Sequence, residues 1–192
     1  MARAFVALAL PAKLRQRLSE ETDRLRLVGA PVSWVRPENF HVTMRFIGDL
    51  VDEELLVLDG LLRGAASASP PLPLTARGLS TFPESGSGPP RVVWCGIAED
   101  AGNEGNLQGL RNGIQEALRG QGYRAEKARF QPHITLGRVR SAFDAEPLLE
   151  RIGPAIRRPF GTFVARELIL YESVTGNQGL AYEPLQRFPL GG

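Results

Sequence analysis

The chain has 192 residues, a formal charge of +2, and 43% hydrophobic against 23% charged residues. Those proportions describe a folded soluble protein with material for a real core and exclude wholesale disorder. A charge excess this small also excludes a protein held on duplex nucleic acid by many phosphate contacts, although all but Lys13 and Lys127 of its basic side chains are arginine, the cation suited to bidentate phosphate recognition. Cys95 is the only cysteine, so no intramolecular disulfide forms, and within Arg91-Val-Val-Trp-Cys-Gly-Ile-Ala it reads as an inert thiol in a buried strand.

The start, Phe5 to Leu10, reads as a strand and not as a leader, because Pro11 and a charged helical stretch follow at once. No apolar run approaches the roughly 18 residues that span a membrane, and a cytoplasmic location is expected. Leu14, Leu18, Leu25 and Leu27 recur at helical spacing through 12–27. Trp34 to Asn39 reads as a loop, Pro37 disfavouring helix before it, and delivers the chain to a strand that begins at His41 and runs to Gly48. Asp52, Glu53 and Glu54 open a leucine-rich helix. Strands are predicted near 72–79 and 91–98, on either side of a Pro/Gly/Ser-rich loop expected to be mobile, and a helix near 105–119. A strand from His133, a helix from about 144, and strands near 160–165, 167–173 and 180–188 complete the chain, with 176–179 as a turn. Four or so helices among seven or eight often adjacent strands predict an α+β fold with antiparallel pairing in a single domain, residues 1–192.

Only two histidines occur, and both open the same pattern, His41-Val-Thr-Met and His133-Ile-Thr-Leu. On a strand, residues i and i+2 share a face, so each motif presents one imidazole and one hydroxyl together and turns its apolar residues the other way. A shift of 92 residues superposes the motifs and also lays Asp52 on Asp144, Glu54 on Glu146 and Leu56 on Leu148, the pattern of a degenerate internal duplication. Two imidazoles near neutral pKa permit concerted acid and base catalysis, as phosphodiester cleavage requires: one removes a proton from the attacking water or hydroxyl and the other protonates the departing oxygen. Thr43 and Thr135 are placed to donate to non-bridging phosphate oxygens. Two histidines supply only half of a tetrahedral metal shell and no acid stands at a customary ligand spacing, so the chemistry is expected to need neither metal nor other cofactor.

Further candidates follow from strand geometry. Arg45 continues the face of His41 and Thr43 if the strand stays regular. Arg138 lies an odd number of residues from His133 and reaches the same face only if a bulge near Gly137 re-aims it. Arg129 and Phe130 precede the second motif and are candidates for contact with ribose phosphate and base, while Phe130 and Phe46 also read as core.

The chain resembles the two-histidine phosphoesterase superfamily, specifically the RNA 2′,3′-cyclic phosphodiesterases once described as 2′-5′ RNA ligases. The resemblance rests on Arg3-Ala-Phe-Val-Ala-Leu-Ala-Leu-Pro, Pro37-Glu-Asn-Phe-His-Val-Thr-Met-Arg-Phe-Ile-Gly, Arg91-Val-Val-Trp, Phe130-Gln-Pro-His-Ile-Thr-Leu-Gly-Arg, Leu170-Tyr-Glu-Ser and Tyr182-Glu-Pro-Leu. Met44 departs from the family's usual Leu, a near-isosteric change on the face away from the site. The resemblance implies a bilobal fold of two pseudo-twofold-related antiparallel sheets with helices outside and a central cleft. It also implies metal-independent opening of a terminal 2′,3′-cyclic phosphate to a 2′-phosphate, with reversible 2′-5′ ligation as a companion activity. His41 would be the proton donor and His133 the proton acceptor, the near-symmetric motifs alone leaving those roles open. The expected partners are RNA bearing a cyclic phosphate end or cyclic nucleotides, met by a monomer. Two other readings keep the cleft: a phosphodiesterase acting on 2′,5′-oligonucleotides or an ADP-ribose cyclic phosphate, and a nucleotide- or RNA-binding module without turnover.

Overall fold

Residues 2–84, 87–126, 129–141, 145–176 and 179–191 are described by a computed structural model. In chain order they form β1 (Ala2–Ala9), α1 (Ala12–Arg26), β2 (Val32–Trp34), β3 (His41–Leu50), α2 (Asp52–Ser67), β4 (Leu72–Phe82), β5 (Val92–Glu99), α3 (Asn106–Arg119), β6 (His133–Val139), α4 (Glu146–Ile152), β7 (Pro159–Ala165), β8 (Glu167–Gly176) and β9 (Gly179–Pro189). Antiparallel pairing runs through the whole sheet, in the order β7-β4-β5-β6-β3-β1-β8-β9, with β2 on the free part of β6. This is the expected α+β class, and each half of the order repeats the other outward from the centre: β3 and β1 on one side match β6 and β5 on the other. The extra strand is β2, whose last residue, Trp34, was expected to begin a loop. Position 144 and the 177–178 turn lie outside the described residues.

The two motif strands are the central pair, and they meet through Val42 opposite Ile134. These residues are related by the 92-residue shift, so an approximate twofold axis passes between them. Each strand then departs from regularity at the same point. β1 pairs Ala7 with Thr43 and Val6 with Arg45, leaving Met44 extra, while β5 pairs Trp94 with Thr135 and Val93 with Gly137, leaving Leu136 extra. A bulge of this kind reverses the in-out alternation beyond it. The burial sequence shows the reversal twice over: half-buried, buried, half-buried, buried, buried, exposed, half-buried from His41 to Ile47 and again from His133 to Val139.

Val42, Met44, Ile134 and Leu136 enter one continuous core with Leu14, Leu18 and Leu25 of α1, Leu58 and Leu62 of α2, and Ile114 and Leu118 of α3. Glu54 starts α2 by accepting the Val51 N–H at 3.1 Å, and Glu99 starts α3 by accepting the Gly105 and Leu107 N–H groups at 2.9 and 2.6 Å. Both supply acceptors to otherwise orphaned donors at the positive end of a helix. The 92-residue register does not persist into the helices: Leu56 is 84% exposed whereas Leu148 is fully buried. α2 is 16 residues long and α4 only seven, so the two helices lay different faces on their strands.

The residue after each bulge is buried, but its space is filled differently in the two halves. At Gly137 the missing side chain makes room for β2, and an added Cβ would lie 2.6 Å from Val32 and 2.9 Å from the Trp34 ring. At the equivalent Arg45, the position matching Trp34 is Glu126, and the two form an ion pair at 3.2 Å. We predict that Gly137→Ala lowers unfolding free energy by about 1–3 kcal/mol in urea titrations, the overpacking cost in a tight core. Wild-type stability in that variant would contradict the close approach of Trp34.

Candidate active site

Val42 and Ile134 turn into the core, so their neighbours His41, Thr43, His133 and Thr135 turn to the opposite face. The register set by this pair places His41 across from Thr135 and Thr43 across from His133. The four groups form a square with the histidines on one diagonal, where antiparallel neighbours lie about 7–8 Å apart. Small residues keep the square open beside three of its corners, β1 setting Ala9 opposite His41 and Ala7 opposite Thr43 and β5 setting Gly96 opposite His133, while Trp94 of β5 stands opposite Thr135.

Both imidazoles are oriented by the same backbone device. His41 Nδ1 lies 2.7 Å from the Asn39 oxygen and His133 Nδ1 lies 2.7 Å from the Gln131 oxygen. A carbonyl only accepts, so Nδ1 carries the hydrogen in each ring and Nε2 is left for the cleft. The Thr43 hydroxyl donates to His41 Nε2 at 3.0 Å, a bond that Thr135 does not make to His133 among the described residues. Burial holds the His41 pKa down, from 6.5 to about 4, against the raising effect of the Asn39 bond, and the charge of His133 lowers it further. Burial also lowers the His133 pKa, opposed by the Gln131 bond and aided by the Arg138 guanidinium. At rest both rings are neutral at physiological pH.

The walls around the two rings differ. Phe5 lies 4.9 Å from His41 and Tyr182 stands edge-on to it at 5.1 Å, with Tyr171 stacked on Phe5 at 5.4 Å. Phe82 stands edge-on to His133 at 4.9 Å, and Trp94 stacks on Phe82 at 4.8 Å. Sequence reasoning missed all of these aromatics as site residues. For Phe5 and Trp94 a signal exists, since each lies on the cleft-facing alternation of a strand beside a motif. For Tyr182 strand alternation gives none, because its place depends on β9 folding back from more than 140 residues away; its signal is the Tyr182-Glu-Pro-Leu motif of the family resemblance.

The remaining sequence candidates separate. The bulge at Met44 turns Arg45 away from the face of His41: it is 5% exposed, pairs with Glu126 and also bonds the Arg124 carbonyl, so the regular-strand expectation is corrected. Glu126 is shared with Arg111 of α3 at 2.9 Å, and Arg111 covers the Phe130 ring at 4.8 Å. Phe130 thus packs against the core and not beside the imidazoles. Phe46, read as core, is instead 62% exposed and 6.2 Å from Phe5 on the cleft face. The matching bulge at Leu136, one residue before the position considered, brings the exposed Arg138 within electrostatic reach of His133 and Tyr182. Phe46 and Arg138 are themselves related by the 92-residue shift, each five residues after its histidine. Arg129 is exposed.

The sequence and the fold are matched in known proteins. The chain is 30% identical over 188 residues to an RNA 2′,3′-cyclic phosphodiesterase of Methanothermobacter thermautotrophicus, covering 98% of both chains, and 31% identical over 186 residues to one of Archaeoglobus fulgidus, covering 97% of this chain and 99% of that one. Its fold superposes on Escherichia coli LigT complexed with 3′-AMP with a TM-score of 0.76 at 25% identity, covering 100% of this chain and 99% of LigT. A crystal structure of a Thermus thermophilus protein gives a TM-score of 0.75 at 28% identity, covering 99% and 98%. The profile of the LigT-like phosphoesterases matches residues 8–94 and 99–182, two stretches that each contain one His-x-Thr motif, and the chain belongs to that family.

Proposed function

We propose that the protein is a metal-independent RNA 2′,3′-cyclic phosphodiesterase that opens a terminal cyclic phosphate to a 2′-phosphate by paired histidine catalysis. The observation that carries this reading is the square of two imidazoles and two hydroxyls on one sheet face, with both Nε2 atoms free of backbone partners. The curated relatives named above for that activity support the choice of substrate.

The phosphate sits between the histidines, with Thr43 and Thr135 donating to its non-bridging oxygens. His133 takes a proton from water, water oxygen attacks phosphorus, the bond from phosphorus to O3′ breaks, and His41 delivers a proton to O3′. The division of labour follows the family resemblance; burial lowers the pKa of both rings, His41 to about 4, and the Arg138 guanidinium adds to the lowering at His133, so His133 starts neutral as a base must. His41 must become protonated to act as the acid, and the anionic phosphate raises its pKa on binding as Thr43 turns from Nε2 to the phosphate. Phe46 and Arg138, at equivalent places on the two rims, are suited to hold the base and a phosphate of the terminal nucleotide. Reversible 2′-5′ ligation would use the same proton transfers with a nucleoside 5′-hydroxyl in place of water: His133 takes its proton, its oxygen attacks phosphorus, the bond to O3′ breaks and His41 protonates O3′, and the reverse of these steps cleaves the 2′-5′ link and re-forms the cyclic phosphate. The protein acts in this reading as a cytoplasmic monomer of one catalytic domain.

Assays with 2′,3′-cyclic nucleotides and with RNA ending in a cyclic phosphate, chelator present, test the reading. The expected product is the 2′-phosphate, and His41→Ala and His133→Ala are each expected to lower kcat about 10²–10⁴-fold. A 3′-phosphate product would contradict the leaving-group assignment, and near-wild-type rates in both variants would overturn the mechanism. Tight binding of the same RNA without product would favour a binding module.

The depressed pKa values set a second expectation. In the free enzyme the base must be neutral and the acid protonated, and both groups titrate below 6.5. The kcat/KM profile is therefore expected to be bell-shaped with its maximum on the acid side of 6.5, and the alkaline limb of kcat to lie at higher pH once phosphate is bound. A kcat/KM maximum well above neutrality would contradict the enclosure of the two rings.

A further inference from the structure

The β8–β9 hairpin returns over the His41 half of the cleft, and one of its carbonyls is gripped from outside the hairpin. The Leu180 oxygen accepts from Asn39 Nδ2 at 2.8 Å and from an Arg36 guanidinium nitrogen at 2.8 Å. Asn39 is 8% exposed, and its own main-chain oxygen is the one that takes the His41 Nδ1–H. Two residues beyond Leu180, Tyr182 meets the His41 ring edge-on at 89° and the Phe5 ring at 4.8 Å. One asparagine therefore holds the histidine through its backbone and the neighbouring tyrosine's strand through its side chain.

We propose that Tyr182 is a positioning residue for His41, and that the Asn39 amide seats it by docking the hairpin at Leu180. The inference rests on the acid–base role of His41 argued above. Once Thr43 turns from Nε2 to the phosphate, the bond from Nδ1 to the Asn39 carbonyl is the hydrogen bond that remains to the imidazole, and the ring can rock about it. The Phe5 ring on one side and the Tyr182 edge on another leave the orientation in which Nε2 points to Thr43 and the phosphate site. The groups facing His41 are Thr43 of β3, Phe5 of β1, Tyr182 of β9 and His133 across the cleft, and Tyr182 lies in turn within the field of Arg138 of β6. The Tyr182 ring, more than its hydroxyl, performs the positioning, since the contact with His41 is made between rings.

The test compares Tyr182→Ala, Tyr182→Phe and Asn39→Ala in hydrolysis of a 2′,3′-cyclic nucleotide and in NMR titration of the histidines of the free proteins. Asn39→Ala keeps the backbone carbonyl, so any loss reads the side-chain grip alone. Tyr182→Ala and Asn39→Ala are expected to lower kcat about 10–100-fold with KM changed less than about threefold, and to move the His41 titration up toward 6.5. Tyr182→Phe is expected to restore most of both. If Tyr182→Ala does not fold, the contrast between Asn39→Ala and Tyr182→Phe decides the same question. Wild-type kcat with an unmoved His41 titration in Asn39→Ala overturns the grip, and a loss in Tyr182→Phe as large as in Asn39→Ala overturns the role of the ring. The titration needs no substrate, so it reads the positioning even where the wild-type protein opens no cyclic phosphate, an outcome that would count against the functional reading instead.

Discussion

The two half-sheets touch through one antiparallel pair, Val42 against Ile134, the residues that follow the two histidines. Everything at the site descends from that register. Because the paired residues are equivalents under the internal repeat, the pair lies on the pseudo-twofold axis and each histidine faces the other motif's threonine across it. Because both point into the core, the polar residues on either side of them have no choice of face. A slip of one residue in this register would turn one of the two imidazoles in among the helices and leave the other alone on the cleft face, so the apolar contacts of Val42, Met44, Ile134 and Leu136 hold the catalytic geometry as well as the fold.

Beyond that centre, the paired bulges let the strands serve two purposes. Before Met44 and Leu136 the alternation exposes histidine and threonine to the cleft, and after them it exposes Phe46 and Arg138 while Arg45 and Gly137 go inward. The backbone is thus nearly symmetric and the side chains are not. One half closes its inward position with an ion pair to Glu126, the other with Trp34 laid over a glycine. One imidazole is enclosed by Phe5 and Tyr182, the other by Phe82 and Trp94 with an arginine nearby. A symmetric scaffold with unequal walls can give two identical groups different protonation tasks, which acid–base catalysis across one phosphorus requires.

The histidines and threonines were legible because a period-two strand leaves little freedom to a repeated His-x-Thr, and the alternation itself specifies the face. Arg45 was misplaced for the same reason: a bulge is a property of two strands in register, and nothing in His41 to Gly48 alone announces that β1 will skip Met44. Arg138 was flagged by the family pattern, though its bulge falls at Leu136 and not at Gly137. Phe46 looked apolar and therefore internal, yet the reversal at Met44 puts it outside. The helices following the motifs share composition but not packing, so the match of Leu56 to Leu148 held in the sequence and failed in space. Tyr182 and the Asn39 grip depend on contacts spanning more than 140 residues, beyond any local pattern.

The central claim, that both histidines serve a single phosphate, is tested most directly by titrating inorganic phosphate into protein with ¹⁵N-labelled histidine and following both Nε2 resonances. The two signals are expected to shift together along one saturation curve with a stoichiometry of one. Displacement of one signal alone, or two curves with different dissociation constants, would contradict it.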